Sequence, residues 1–478
     1  MRAPTAERSS AAVGASRAPQ DLYRILLLRK NGSELLVAGE HRPSALPCVE
    51  IPRWERTGIN LNAVVRERYG ISPVCLFTPD LSVTTDDGEP PLYQVMETRE
   101  ANARAPEGMY WLPVDAFSDQ FFANAQDFRA LTDTLRKIHE FENEETRGPF
   151  GKPGWIDELS SWIQHEVDPY GLRLTGEFRQ LNASPTFALL RFATNESAVW
   201  FKAVGEPNLR EFPISLTLSR LFPGFVPGIL ATRRAWHGWL MTEFVGSTLD
   251  EVADACAWER VAQTLGELQI ASLGTTERLL DASCRDLRIS SLRSLVDPFM
   301  EMMSQLMEQQ RTTPPPVLDR GELRTLGRQI QEALSKLAEL GIPDTLGHLD
   351  FNPGNILCSA HRCVFIDWAE AYVGPPFLTF DYLRTHLGRT EREDAGLSAN
   401  VVTAYETHWR PVLSPDVVAE AMKVASVLAV FAYATATEGW RKPASFGESR
   451  AAGYLRSLTR RMHREMRRLQ DRRRLCIH

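Results

Sequence analysis

Residues Thr345–Ala371 read TLGHLDFNPGNILCSAHRCVFIDWAEA. Asp350 is followed five positions later by Asn355, and Asp367 ends the apolar run CVFI. Pro353 and Gly354 force a tight turn, so Asp350 and Asn355 can face one pocket. The segment CVFIDW reads as a short buried strand that delivers Asp367 at its end. A single Asp or Asn on a turn is ordinarily a solvated cap. A carboxylate at the end of a buried strand is costly without a partner, and a bound cation removes that cost.

Working outward, the 478 residues exceed one ordinary core, so two or three domains are expected. The composition (43% hydrophobic, 24% charged) is that of a soluble globular chain, and the net charge of −7 speaks against general nucleic-acid binding. Seven cysteines, odd in number and scattered, with no signal peptide, point to a reduced, cytoplasmic setting. Cys358 and Cys363 are neighbours, but no second pair stands at a zinc-like spacing. The longest apolar run, VASVLAVFAYATAT from Val424, is shorter than the ~20 residues of a bilayer span. It reads as a buried helix, and no membrane partner is expected.

Residues 1–20 are rich in Ala, Ser and Arg and read as a disordered leader. Residues 21–145 form an α+β unit. It opens with a hairpin, LYRILLLRK-NGS-ELLVAG, and its first helix, GINLNAVVRERYG, is ended by Gly70. A Gly/Pro-rich linker begins at Gly148. Residues 146–247 then alternate as five antiparallel strands with one helix inserted after the third. From 248 to 478 the period is helical, ending in a basic helix with Arg456, Arg460, Arg461, Arg464, Arg467 and Arg468. On a helix these arginines spread round the circumference, which fits a solvated or lobe-packing helix rather than a nucleic-acid contact.

A sheet carrying one helix, followed by a helical lobe, is the order of a two-lobed kinase. Phosphoryl transfer from ATP needs an acceptor for the hydroxyl proton, divalent cations on the phosphates and a cation reaching them. Mg²⁺ takes hard oxygen ligands, and one or two carboxylates with an amide oxygen suffice. The motifs GHLDFNPGNIL and VFIDWAEAYVGPPFLTFDYL resemble those of the aminoglycoside phosphotransferase and choline kinase family, over roughly residues 165 to 440. The resemblance implies a protein-kinase-like fold, ATP and Mg²⁺ as cofactors and, as acceptor, a hydroxyl of a small molecule such as an aminoglycoside-like antibiotic, a natural product or an amino alcohol. Asp350 takes the catalytic position, His348 the position that braces the loop, and Asn355 and Asp367 the metal positions. In AVWFKAVGEPNLRE, Lys202 would contact the ATP phosphates and Glu211 would pair with it. Backbone groups of Glu243 to Val245 would bind the adenine edge. Ser184 and nearby N–H groups would cover the phosphates in a loop without glycine. Asp381 falls where the family ties the catalytic loop to the helical lobe, although Pro375 stands where the family usually has Asp.

The N-terminal unit resembles a Nudix domain (α/β/α) in strand order and in its closing Trp-Leu-Pro. Of the family's metal-binding glutamates only Glu67, and Glu55 upstream, remain. Ala63, Val64 and Arg68 replace the rest of the pattern in AVVRERYG. One or two isolated carboxylates make a poor cation site. A binding or dimerisation module, which could pair two copies of the chain, and a shell that buttresses the kinase are the readings left open. Two other functions compete with the kinase: a nucleotide-binding regulatory pseudokinase, and a Nudix hydrolase with a kinase-like appendage. The intact Lys202, Asp350, Asn355 and Asp367 oppose the first, and the missing glutamates oppose the second.

Overall fold

A computed structural model of the chain describes residues 19–39, 43–53, 55–81, 92–118, 120–143, 148–182, 184–311, 315–390, 395–436, 438–441 and 450–475. The leader lies outside these residues, apart from its last two positions. The chain divides into two compact units, residues 1–206 with 230–241, and residues 207–229 with 242–478. The boundary read from sequence at residues 145–146 falls inside the first.

The first unit opens on a mixed sheet of β1 (Gln20–Arg29), β2 (Glu34–Ala38), β3 (Cys48–Pro52), β4 (Pro73–Phe77), β5 (Leu92–Thr98) and β6 (Met109–Pro113). Its order is β4-β5-β1-β2-β6, with β3 also on β1. The hairpin pairs Leu28 with Leu35 across a turn in which Lys30, Asn31 and Gly32 all have positive φ. The β period then divides β1 between two cores. Ile25 and Leu27 pack with Leu61 and Val65 of α1 (Thr57–Tyr69) on one face. Leu26 and Leu28 join a core on the other face with α2 (Ala125–Asn143) and α3 (Trp155–Val167).

That second core continues into another sheet, built from β7 (Leu174–Gln180), β8 (Ala188–Thr194), β9 (Val199–Ala203), β10 (Ile229–Arg233) and β11 (Gly238–Thr242). Its order is β10-β11-β9-β8-β7, and α4 (Glu211–Leu221) is inserted after β9 in the chain. Leu190, Phe192, Phe201 and Leu240 share the core with Leu26 and Trp155. The Gln180 side chain completes the join: its amide group donates to the Cys75 carbonyl and accepts from the Cys75 N–H, both at 2.9 Å.

The second unit is mainly helical: α5 (Cys256–Ala271), α6 (Thr276–Asp281), α7 (Ile289–Glu308), α8 (Arg320–Glu339), α9 (Phe377–Leu387), α10 (Ala395–Trp409), α11 (Pro415–Ala436) and α12 (Arg450–Leu475). α8 starts on a capping box, Asp319 with Glu322, which satisfies two orphan N–H groups. α11 is 22 residues long and apolar enough to cross a membrane by length and composition, and its buried residues lie in the largest core. Arg456 and Arg460 of α12 donate to the carbonyls of Leu306 and Pro316, so this part of the basic helix is packed.

Two small sheets interrupt the helices. One joins β12 (Ser247–Thr248), β15 (Ile356–Cys358) and β16 (Cys363–Phe365). The other joins β13 (Arg285–Asp286), β17 (Ala371–Gly374) and β14 (Thr345–His348). Hydrophobic periodicity did not predict β12, β13, β14 or β17, because strands of two to four residues are too short to express a period.

Candidate active site

The loop from β14 to β15 carries His348, Asp350 and Asn355. β14 pairs antiparallel with β17, His348 opposite Ala371 and Gly347 opposite Tyr372. A Cβ on Gly347 would lie 2.0 Å from the Tyr372 ring, so only glycine lets that ring cross the strand. The Tyr372 hydroxyl donates to the Pro375 carbonyl at 3.1 Å and lies 3.0 Å from Thr379 Oγ1. Thr379 Oγ1 in turn accepts the His348 N–H at 2.9 Å. This buried chain fixes where the loop begins.

The His348 ring fixes where the loop goes. Nδ1 accepts the N–H of Asp350 at 3.1 Å, so Nε2 carries the proton and donates to the Ile366 carbonyl at 3.1 Å. The ring is buried and packs against Trp368 at 4.8 Å between centroids. Both nitrogens are committed to the loop and to the residue before Asp367. The imidazole is a brace.

The carboxylate of Asp350 is half-buried and held from both sides. Asn352 Nδ2 donates to Oδ1 at 3.0 Å and Asn355 Nδ2 to Oδ2 at 3.2 Å. Asn355 also donates to the Asp350 carbonyl at 2.9 Å, while Asn352 Oδ1 caps the turn Pro353–Asn355 by accepting from Gly354 N–H at 2.9 Å. Each carboxylate oxygen keeps a lone pair for an incoming hydroxyl. With its N–H groups turned to Asp350, Asn355 has Oδ1 left to offer a cation.

Asp367 follows β16 and adopts the left-handed conformation, φ 66° and ψ 54°, which a residue other than glycine holds only when its surroundings impose it. The Asn355 carbonyl accepts the Ile366 N–H at 3.0 Å, which brings the backbone of Asn355 against that of Asp367. One carboxylate and one amide oxygen on adjacent backbones are the hard, sparse donor set that Mg²⁺ takes when phosphates and water supply the rest. No cluster of three or more His, Cys, Asp or Glu able to hold a metal occurs among the described residues. Just beyond, Glu370 accepts from Arg285 at 3.0 and 3.1 Å, and α4 packs on the turn Trp368–Glu370. Burial raises the Glu370 pKa, with Arg285 opposing.

The remaining predicted residues are distributed between the units. In the first, Lys202 is half-buried on β9, opposite Leu189, with Nζ 5.8 Å from the centre of the Trp239 ring. Ser184 Oγ accepts the Thr186 N–H at 3.3 Å in the loop between β7 and β8. In the second, Glu211 opens α4 and is buried, and Val245 is 80% exposed near Glu243 in the segment before β12. Lys202 and Glu211 thus belong to different units, and so do Ser184 and Asp350.

One assignment is corrected. Asp381 is buried on α9 and accepts from Ser426 of α11 at 2.6 Å, and burial raises its pKa. The tie to the catalytic loop is Thr379, two residues earlier. Thr379 and Asn352 were both missed. Asn352 was legible as an Asx residue two positions before Gly354. Thr379 had no local signal, because its partner is 31 residues away.

Residues 209–413 match the model of the phosphotransferase enzyme family. This segment is that of a small-molecule phosphotransferase enzyme. It includes Glu211, Asp350, Asn355, Asp367 and Thr379, and it is narrower than the 165 to 440 of the sequence resemblance, leaving Ser184 and Lys202 outside. No curated protein matches the chain. Among solved structures, the macrolide 2′-phosphotransferase of Brachybacterium faecium is 15% identical, covering 60% of this chain and 96% of its own, with a TM-score of 0.39. The choline kinase of Streptococcus pneumoniae is 14% identical, covering 66% and 99%, with a TM-score of 0.42. The choline kinase of Cryptosporidium parvum is 14% identical, covering 71% and 97%, with a TM-score of 0.44.

Proposed function

We propose that the chain transfers the γ-phosphoryl group of ATP to a hydroxyl of a small molecule, with Asp350 as the catalytic base. The observation that carries this reading is the carboxylate of Asp350, fixed by two amides in a loop that His348 fastens to Ile366, next to Asp367. A general base needs a defined position and a free lone pair, and this carboxylate has both. The proton of the acceptor hydroxyl passes to Asp350. The freed oxygen forms the new P–O bond as the bond to the ADP oxygen breaks.

Asn355 Oδ1 and the Asp367 carboxylate would hold Mg²⁺, which when bound neutralises charge on the phosphates. Lys202 would reach the phosphates and pair with Glu211, while Ser184 and its loop would cover them. Glu243 to Val245 would present backbone groups to the nucleotide base. This reading takes residues 146–247 and 248–478 as the two lobes. It sets the chain in the cytoplasm and leaves residues 21–145, the Nudix-like unit, a binding, dimerisation or buttressing part. Glu67 and Glu55 are both exposed.

The test is ATP consumption by the full chain with hydroxylated compounds, comparing wild type with Asp350→Asn. Loss of about 10³-fold or more in kcat is expected for removal of a base in a fixed site. Turnover that survives the substitution would refute the assignment. Pyrophosphatase activity abolished by Glu67→Gln would move the chemistry to the N-terminal unit.

A further inference from the structure

Three helices converge beside the catalytic loop and present polar faces that the reaction has not used. Thr379, Tyr382 and His386 stand at i, i+3 and i+7 on α9, one face of the helix whose Thr379 holds the loop. The ring of Tyr433 on α11 stacks on Tyr382, with centroids 6.2 Å apart and planes 30° from parallel. The ring of Tyr454 on α12 meets Tyr433 edge-on, and the Tyr454 hydroxyl donates to that of Tyr433 at 3.4 Å. His386 lies 5.2 Å from the Tyr382 ring. Tyr454, at 37% exposed, forms the rim.

The charges that act on Tyr382 and His386 are those of Asp350, Arg389 and Arg461, and those that act on Asp381 nearby on α9 are Arg384, Arg461 and Glu465. Each carboxylate already has partners. Asp350 is held by two amides, Asp381 is hydrogen-bonded to Ser426, and Glu465 pairs with Arg468 at 3.0 Å. The arginines are different. Among the described residues, the side chains of Arg389 and Arg461 make no hydrogen bond or ion pair, and Nε of Arg384 is buried with no acceptor. Arg461 is half-buried, where a guanidinium without an acceptor is costly. Burial, then Asp350, pushes the Tyr382 phenol up to about 12, so it stays a neutral donor. Burial, then Arg389, holds the His386 pKa down, so that ring adds no cation.

We propose that the phosphate acceptor is an anionic hydroxyl compound, its carboxylate or phosphate held by Arg461 and Arg389 and its ring or carbon face laid on Tyr382 and Tyr433 beside Asp350. This rests on the phosphotransferase reading of the Asp350 site and narrows its acceptor. A tyrosine cluster also accepts organic cations. Here a cation would meet guanidiniums instead of a closed box, because two of the rings lie nearly parallel and one stands at the rim.

The experiment measures ADP release by the full chain with ATP and Mg²⁺ on four groups of probes. D-gluconate and D-glycerate carry carboxylates, and glucose 6-phosphate and glycerol 3-phosphate carry phosphates. Glucose and glycerol are neutral, and choline, ethanolamine and kanamycin are cationic. Turnover is expected with one or both anionic groups, and the group that works identifies the anion. Arg461→Gln should raise the acceptor KM about tenfold or more while the KM for ATP holds, and Arg461→Lys should recover most of that loss. Arg389→Gln, at an exposed turn, should raise it severalfold without a folding defect. Turnover confined to the cationic or neutral probes, or an acceptor KM unchanged in both glutamine variants, overturns the inference and leaves the phosphotransferase reading standing, provided Asp350→Asn is inactive. No turnover with any group, or turnover that persists in Asp350→Asn, overturns the reading and the inference with it.

Discussion

Replacing Thr379 by valine removes one hydroxyl from the centre of the site and almost nothing else. The volume is kept, so no cavity opens. What is lost is the acceptor of the His348 N–H at 2.9 Å, the donor to the His348 carbonyl at 3.4 Å and a partner of the Tyr372 hydroxyl at 3.0 Å. Tyr372 keeps the Pro375 carbonyl at 3.1 Å, but the His348 N–H is buried and left without an acceptor. An unsatisfied buried donor costs about 1–3 kcal/mol, so about 2 kcal/mol is expected here, or ~30-fold in the local opening equilibrium. Hydrogen exchange of the segment spanning residues 346–350 should therefore quicken by about 30-fold. Phosphoryl transfer should fall by about ten- to a hundredfold as Asp350 loses its fixed position. Thr379→Ser keeps the hydroxyl, loses one buried methyl, and should cost about 1 kcal/mol with activity largely retained. If Thr379→Val exchanges within threefold of wild type and keeps its kcat within twofold, the hydroxyl does not hold the loop.

Gly347→Ala drives a methyl into the ring of the buried Tyr372, and urea unfolding of the second unit should show a loss of about 2–3 kcal/mol, with activity reduced in parallel. Asp367→Asn should leave the fold intact by circular dichroism but weaken Mg²⁺-dependent nucleotide binding by tenfold or more in calorimetry; equal binding would remove Asp367 from the metal set. Glu97, buried and accepting the Gly154 N–H at 2.6 Å, has its pKa raised by burial to about 7. Between its ordinary value of 4.5 and about 7 the unfolded state has given up the proton and the folded state keeps it. Stability of the first unit should thus fall as pH rises through that window, by at most about 3 kcal/mol, and Glu97→Gln should flatten the profile in denaturant titrations at pH 5 and pH 8.

The turn and the strand that carry the candidate site were readable because each is written in consecutive residues. Asp350, Asn355 and Asp367 announced themselves through a Pro-Gly turn and a buried strand, and both are observed as short elements, the turn Pro353–Asn355 and β16. The strands of the second sheet were readable too, since five or more residues express a β period. The reading stopped at contacts between distant segments. It assigned the loop tie to Asp381, because that residue falls at the family's position after Gly-Pro-Pro, whereas the anchor is a threonine whose role depends on where β14 meets α9. The arginines without partners among the described residues were equally hidden: a run of arginines along α12 looks uniform, and only packing separates Arg456 and Arg460, which donate to carbonyls, from Arg461, which among those residues does not.

Sequence alone pointed to phosphoryl transfer, because the carboxylate and hard-oxygen groups proposed for it stand at short spacing along the chain. The tertiary structure decided how the base is held and what surrounds it. Thr379 of α9 holds His348, and the tyrosines of the neighbouring cluster come from α9, α11 and α12, so their proximity is a product of helix packing. Sequence order does not encode which faces of three helices meet, so the tyrosine cluster on which the acceptor proposal rests is legible only when they do.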